Sequence, residues 1–121
     1  MSSKDPKLPL RHILQAIERI EQHVAGMDFA AYRNDAKTAD AVERNLQRIS
    51  EAAIRLGEPG PASCPEIPWP DVRGIGNWLR HQYDRVEPET IWNVVVESLP
   101  PLKACVVKAL KPSALKPGGP T

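Results

Sequence analysis

The stretch DVRGIGNWLRHQYD, Asp71 to Asp84, sets the reading of this chain, because one helical length gathers a histidine, two arginines, an asparagine and a tyrosine beside an apolar ladder. At about 100° per residue, Val72, Ile75, Gly76, Leu79 and Tyr83 fall on one side of a helix, and Arg73, Asn77, Arg80, His81 and Asp84 on the other. The first face packs. The second offers cations, an imidazole and an amide to something outside the fold. That combination suits phosphodiester chemistry: histidine moves protons near neutral pH, and arginine holds phosphate in a planar fork. A charged helix face is also what solvation alone produces, so both readings stand at this point.

Working outward, prolines at 68 and 70 frame the start of this helix, where the first amide hydrogens lack helical partners anyway. Gly74 and Gly76 each forfeit up to about 1 kcal/mol relative to alanine inside a helix, which points to close approach of a backbone or ligand, or to packing against a neighbouring helix. Upstream, Leu10, Ile13, Leu14, Ile17, Ile20 and Val24 recur at helical spacing and predict a first long helix from about Pro9 to Val24, closed by Gly26. His12 and His23 lie in or beside that pattern without carboxylate or cysteine partners and read as packing or boundary residues. In MDFAAYRND, Asp28 caps one or two turns that tuck Phe29 and Tyr32 inward. Asn34 or Asp35 caps a second long helix carrying Ala39, Val42, Leu46, Ile49, Ala53 and Leu56, ended by Gly57. Its outer face, with Lys37, Asp40, Glu43, Arg44, Arg48, Glu51 and Arg55, reads as ordinary solvation.

Residues 57–68, GEPGPASCPEIP, hold four prolines and two glycines and predict an irregular connector. Downstream of a turn at 84–88, Pro88 opens a helix through Leu99; Pro100 and Pro101 are expected to interrupt it and restart a last helix, Leu102 to Leu110. The end, KPSALKPGGPT, has little to bury and is expected to be a disordered tail over 111–121, leaving one helical domain over 1–110. The fold expected is all-α, an antiparallel up-and-down bundle of two long helices and shorter C-terminal ones.

With 121 residues, sixteen basic and fifteen acidic, the net charge of +1 steers the chain toward neither nucleic acid nor membrane, so any RNA contact comes from a local patch. Cys64 and Cys105 show no metal-ligand spacing, no metal site is expected, and both read as free thiols in a reducing compartment. No apolar run approaches a membrane span and the polar N-terminus has no signal-peptide core, so a cytoplasmic protein is expected.

The run Asn77-Trp78-Leu79-Arg80-His81-Gln82-Tyr83, followed by Trp92 in IWNVV, resembles the C-terminal half of the HepT-like branch of the HEPN domains. That family reads Arg-Asn-x-x-x-His-x-Tyr, then a short helix opening with an aliphatic residue and Trp. The resemblance extends through DAKTADAVERNLQRISEAAIRLG upstream and ESLPPLKACVVKAL downstream, roughly residues 8 to 110. It implies an all-helical, usually dimeric protein: a metal-independent endoribonuclease toxin of a type VII toxin–antitoxin system, needing no cofactor and leaving a 2′,3′-cyclic phosphate. It also implies a minimal nucleotidyltransferase antitoxin as partner, with Tyr83 of His-x-Tyr as the site of adenylylation. On this resemblance His81 is the acid–base residue, Asn77 orients His81 or a phosphate oxygen, and Arg80 or Arg73 stabilises developing charge. One position departs from the pattern. The family arginine five residues before the histidine is Gly76 here, and the alternative is a HEPN-like dimer that has kept the fold as a binding or regulatory protein without turnover.

Overall fold

The computed structural model describes residues 5–58, 60, 62, 64–82 and 85–111. The order is α1 (Lys7–Val24), α2 (Phe29–Arg33), α3 (Ala36–Leu56), α4 (Trp69–Gln82), α5 (Pro88–Asn93), a π-helical turn (Val94–Ser98) and α6 (Leu99–Leu110). Asp28 accepts the Ala31 amide at 2.9 Å to start α2, and Asp35 accepts the Thr38 amide at 3.0 Å to start α3. Gly57 ends α3 with φ +62°, a left-handed conformation that side chains resist. Among the described residues there is no strand.

The two long helices run antiparallel: His12, early in α1, meets Arg55 in the last turn of α3. Their apolar stripes close on each other through Ile13, Ile17 and Ile20 of α1 and Val42, Leu46 and Ile49 of α3, all fully buried. Burial of one such side chain stabilises by about 1.5–3 kcal/mol, so this seam dominates the core. α4 packs on α3, and α6 packs on α1, where Lys103 pairs with Glu21 at 3.0 Å. The α2 turns bring Tyr32 and Phe29 against Trp92 of α5, with ring centroids 5.3 and 6.5 Å apart, so the expected aromatic anchor is present. Tyr32 is buried with its hydroxyl unpartnered among the described residues, and burial together with the Glu43 and Asp40 carboxylates pushes its pKa up to about 12.

Two expectations are corrected. Cys64 and Cys105 are not free thiols: both are buried, and a disulfide with a Cα separation of 6.1 Å ties the connector after α3 to the middle of α6. The spacing along the chain, 41 residues, gave no hint, because the connector must first fold back before the two side chains meet. The prolines at 100 and 101 do not break the helix either. Ahead of them the backbone widens into the π-helical turn, whose last bond runs from the Leu99 amide to the Val94 carbonyl, and the prolines then occupy the first turn of α6, where no amide donor is needed.

The connector is less loose than its prolines suggest. Cys64 and Ile67 are buried, and the Trp69 indole N–H donates to the Cys64 carbonyl at 2.9 Å. The positions expected to form the tail beyond Lys111 lie outside the described residues.

Candidate functional site

The candidate site is built on α4, and its position follows from how that helix seats on α3. Trp69, Val72, Gly76 and Leu79 form the buried stripe. Opposite Gly76 stands Ser50, whose hydroxyl donates to the Arg73 carbonyl at 2.6 Å. A Cβ at position 76 would lie 3.0 Å from Ser50 Oγ and 3.3 Å from Ser50 Cβ, tighter than ordinary contact. Gly76 is therefore a point of close approach between α4 and Ser50 of α3, which accounts for one glycine of the pair. A Cβ at Gly74 would meet nothing within 4 Å, so no neighbour accounts for that one.

With the buried stripe fixed, the other flank is turned outward. Asn77, Arg80 and His81 are exposed and Arg73 is half-buried. The His81 ring donates: Nδ1 lies 2.9 Å from the Asn77 carbonyl oxygen, which carries no hydrogen, so in neutral His81 the proton resides on Nδ1 and the lone pair on Nε2. Asn77 thus orients His81 through its backbone, leaving its own amide exposed. Arg80 reaches back over the helix, its Nη1 3.6 Å from the position a Gly76 Cβ would take. Among the described residues the one ion pair is Lys103–Glu21, so no described carboxylate lies within 4.0 Å of the Arg73, Arg80 or His81 nitrogens. The structure thus brings Arg73, Asn77, Arg80 and His81 to one flank of one helix. Tyr83, the expected modification site, lies outside the described residues.

On the opposite flank of α4, Ile75 and a partly exposed Trp78 border an apolar groove closed by Leu46, Ile91 and Val94. Among the described residues, no three His, Cys, Asp or Glu side chains gather in a way that could hold a metal ion.

A second polar region was not evident from the sequence. His12, assigned to packing, accepts a 3.0 Å hydrogen bond from Arg55 Nη2; guanidinium has no acceptor, so His12 Nδ1 carries the lone pair. Arg48, Glu51 and Arg55, assigned to a solvated face, line a groove of about 310 Å³ with His12 and Arg19 of α1. The only signal for it in the sequence is Asn45, a polar residue at the apolar register of α3, which is 4% exposed. Its amide donates to the Ala41 carbonyl at 3.0 Å, while its Oδ1 is buried without a partner among the described residues.

Comparison with known proteins places these observations in context. Residues 13–109 match the family model described as HepT-like, "Ribonuclease HepT-like". A Thermococcus cleftensis protein named "Probable ribonuclease HepT" is 34% identical over 102 residues, covering 84% of this chain and 93% of the relative. Proteins named as candidate RNases from Methanocaldococcus jannaschii and Caldanaerobacter subterraneus are 32% identical over 100 residues and 30% identical over 108; the matches cover 83% and 89% of this chain, and 83% and 96% of the relatives. No solved structure matches this chain significantly.

Proposed function

Because the chain belongs to the HepT-like ribonuclease family, we propose that it cleaves RNA by metal-independent transesterification at the exposed flank of α4. The observation that carries this reading is the His81 geometry. With Nδ1–H tied to the Asn77 carbonyl, the Nε2 lone pair of neutral His81 is the one free to take a proton from a substrate. Nε2 removes the proton of a ribose 2′-OH, and that oxygen attacks the adjacent phosphorus. The bond from phosphorus to the 5′-oxygen breaks, a general acid protonates that oxygen, and the products are a 2′,3′-cyclic phosphate and a 5′-hydroxyl end. Arg80 and Arg73 supply positive charge where the phosphorane-like transition state accumulates negative charge. Asn77 offers an amide to a phosphate oxygen one turn from His81.

One histidine in this stretch supplies the base but not the acid. A homodimer joined around α4 brings a second His81 to the same phosphate, so that identical chains furnish both proton transfers. In the toxin–antitoxin setting, a minimal nucleotidyltransferase antitoxin silences the enzyme by adenylylating Tyr83: the phenolic oxygen attacks the α-phosphorus of ATP and pyrophosphate leaves. The added phosphate, two residues from His81, competes with RNA for the same cations.

Gly76 favours a second reading, a family member that binds without turnover. A side chain at that position would crowd Ser50, its Cβ lying 3.0 Å from Ser50 Oγ and 3.3 Å from Ser50 Cβ. Incubating the purified protein with RNA, with and without chelator, separates the two. Cleavage that survives chelation, yields cyclic-phosphate ends and disappears in His81→Ala supports the ribonuclease; no cleavage under any of these conditions supports the binding protein.

A further inference from the structure

The groove between α1 and α3 is cationic, and its arginines have no described ion-pair partner. Arg19, Arg48 and Arg55 bring three guanidinium groups to it, against the single carboxylate of Glu51. With the one ion pair among the described residues elsewhere, at Lys103–Glu21, none of the three arginines has a described carboxylate within 4.0 Å. Arg55 instead spends one N–H on the neutral His12 ring, which fixes the guanidinium plane and leaves its other donors free. Asn45, 4% exposed on the wall of this groove, keeps its Oδ1 acceptor without a hydrogen-bond partner among the described residues. Three arginines lining one groove suit an anion with repeated charges, and a sugar–phosphate chain has such a repeat.

The groove and the candidate cleavage site share α3 as a wall. Ser50 faces α4, where it meets Arg73 and Gly76, whereas its neighbour Glu51 lines the groove. At about 100° per residue, Ser50 and Arg48 stand about 160° apart on α3, with Gln47, Arg44 and Glu51 on the solvent arc between them, and the helix they span is about 10–12 Å across. A strand lying at His81 reaches the groove by crossing that exposed arc.

We propose that the α1–α3 groove is a subsite for the phosphate backbone of single-stranded RNA, holding nucleotides that flank the scissile bond through Arg19, Arg48 and Arg55. This assignment rests on the ribonuclease reading for its ligand class, but its test is independent of cleavage. The probe is a fluorescently labelled single-stranded 2′-O-methyl RNA oligonucleotide, which keeps every phosphate and lacks the attacking hydroxyl. Its binding to the natural chain is followed by anisotropy across a salt series. Each phosphate contact in a single strand contributes about 0.7 to the slope of log K against log salt. The combined Arg19→Ala, Arg48→Ala, Arg55→Ala variant is therefore expected to bind at least tenfold more weakly and to lose about 2 from that slope. Lysine at the same three positions should largely restore the slope, whereas Lys108→Ala, at an exposed position of α6, should leave it unchanged.

Circular dichroism checks the fold of each variant, and the single substitutions, each expected to remove about 0.7, carry the test if the triple variant unfolds. An unchanged affinity and slope would overturn the subsite, as would an equal loss in Lys108→Ala. Cleavage of unmodified RNA is measured alongside. His81-dependent cleavage with groove-independent binding removes only the subsite, and groove-dependent binding without any cleavage keeps the subsite and removes the ribonuclease.

Discussion

Replacing Gly76 by alanine sets two magnitudes against each other. Inside a helix the exchange gains about 1 kcal/mol from propensity alone. Against it stands the new methyl group, 3.0 Å from Ser50 Oγ and 3.3 Å from Ser50 Cβ. The hydroxyl is held by its 2.6 Å bond to the Arg73 carbonyl, so rotating it away forfeits about 1 kcal/mol. The Ser50 Cβ sits on the α3 backbone and yields only if the helices part, and overpacking of that kind costs about 1–3 kcal/mol. The net expectation for Gly76→Ala is a loss of about 1–3 kcal/mol. Ser50→Ala alone should cost a similar amount, about 1 kcal/mol, through its lost hydrogen bond. In the Ser50→Ala background the hydroxyl contact is gone and the carbon contact remains, so Gly76→Ala should cost about 1 kcal/mol less than in the natural chain. Equilibrium urea denaturation of the four proteins gives a coupling energy, expected at about 1 kcal/mol. If Gly76→Ala stabilises by about 1 kcal/mol in both backgrounds, the close approach of α3 and α4 is not what this glycine serves. The same geometry bears on function: Gly76→Arg places its Cβ in the same spot, so restoring the family arginine should destabilise the fold before it adds a cation.

His81→Ala should lower RNA cleavage by about 10²–10⁴-fold, the usual contribution of acid–base catalysis, while changing stability by no more than about 0.5 kcal/mol because the ring is exposed; single-turnover cleavage and a melting curve check both. Tyr32→Phe removes a buried hydroxyl without a described partner and should stabilise slightly, by up to about 1 kcal/mol. Because folding raises the Tyr32 pKa from 10.0 to about 12, its contribution is complete below pH 10 and is lost as pH rises toward 12; the alkaline limb of a stability profile should therefore be shallower in Tyr32→Phe. Opening the Cys64–Cys105 bond with reductant should cost up to about 4 kcal/mol on chain-entropy grounds for a 41-residue loop, read as a lower denaturation midpoint, and Cys64→Ser should show the same loss without reductant.

The helices were legible because their causes are local. The 3.6-residue spacing of Ile13, Ile17 and Ile20, and of Val42, Leu46 and Ile49, names the buried stripes before any fold is known. Asp28, Asp35 and Gly57 mark the ends by capping chemistry that acts within a few residues. The flank carrying Arg73, Asn77, Arg80 and His81 follows from the same arithmetic on α4. Other features depended on where separate segments meet. Gly76 needed Ser50, from a helix 26 positions earlier, before its lack of a side chain had a reason. Cys64 and Cys105 needed the connector folded back on α6 before they could pair. Arg48 and Arg55 belong to a wet helix face in isolation and become the wall of a cationic groove only when α1 brings His12 and Arg19 alongside. Periodicity records how one helix divides between oil and water; which polar groups of different helices face each other is set by packing angle and register, and those are properties of the assembled core.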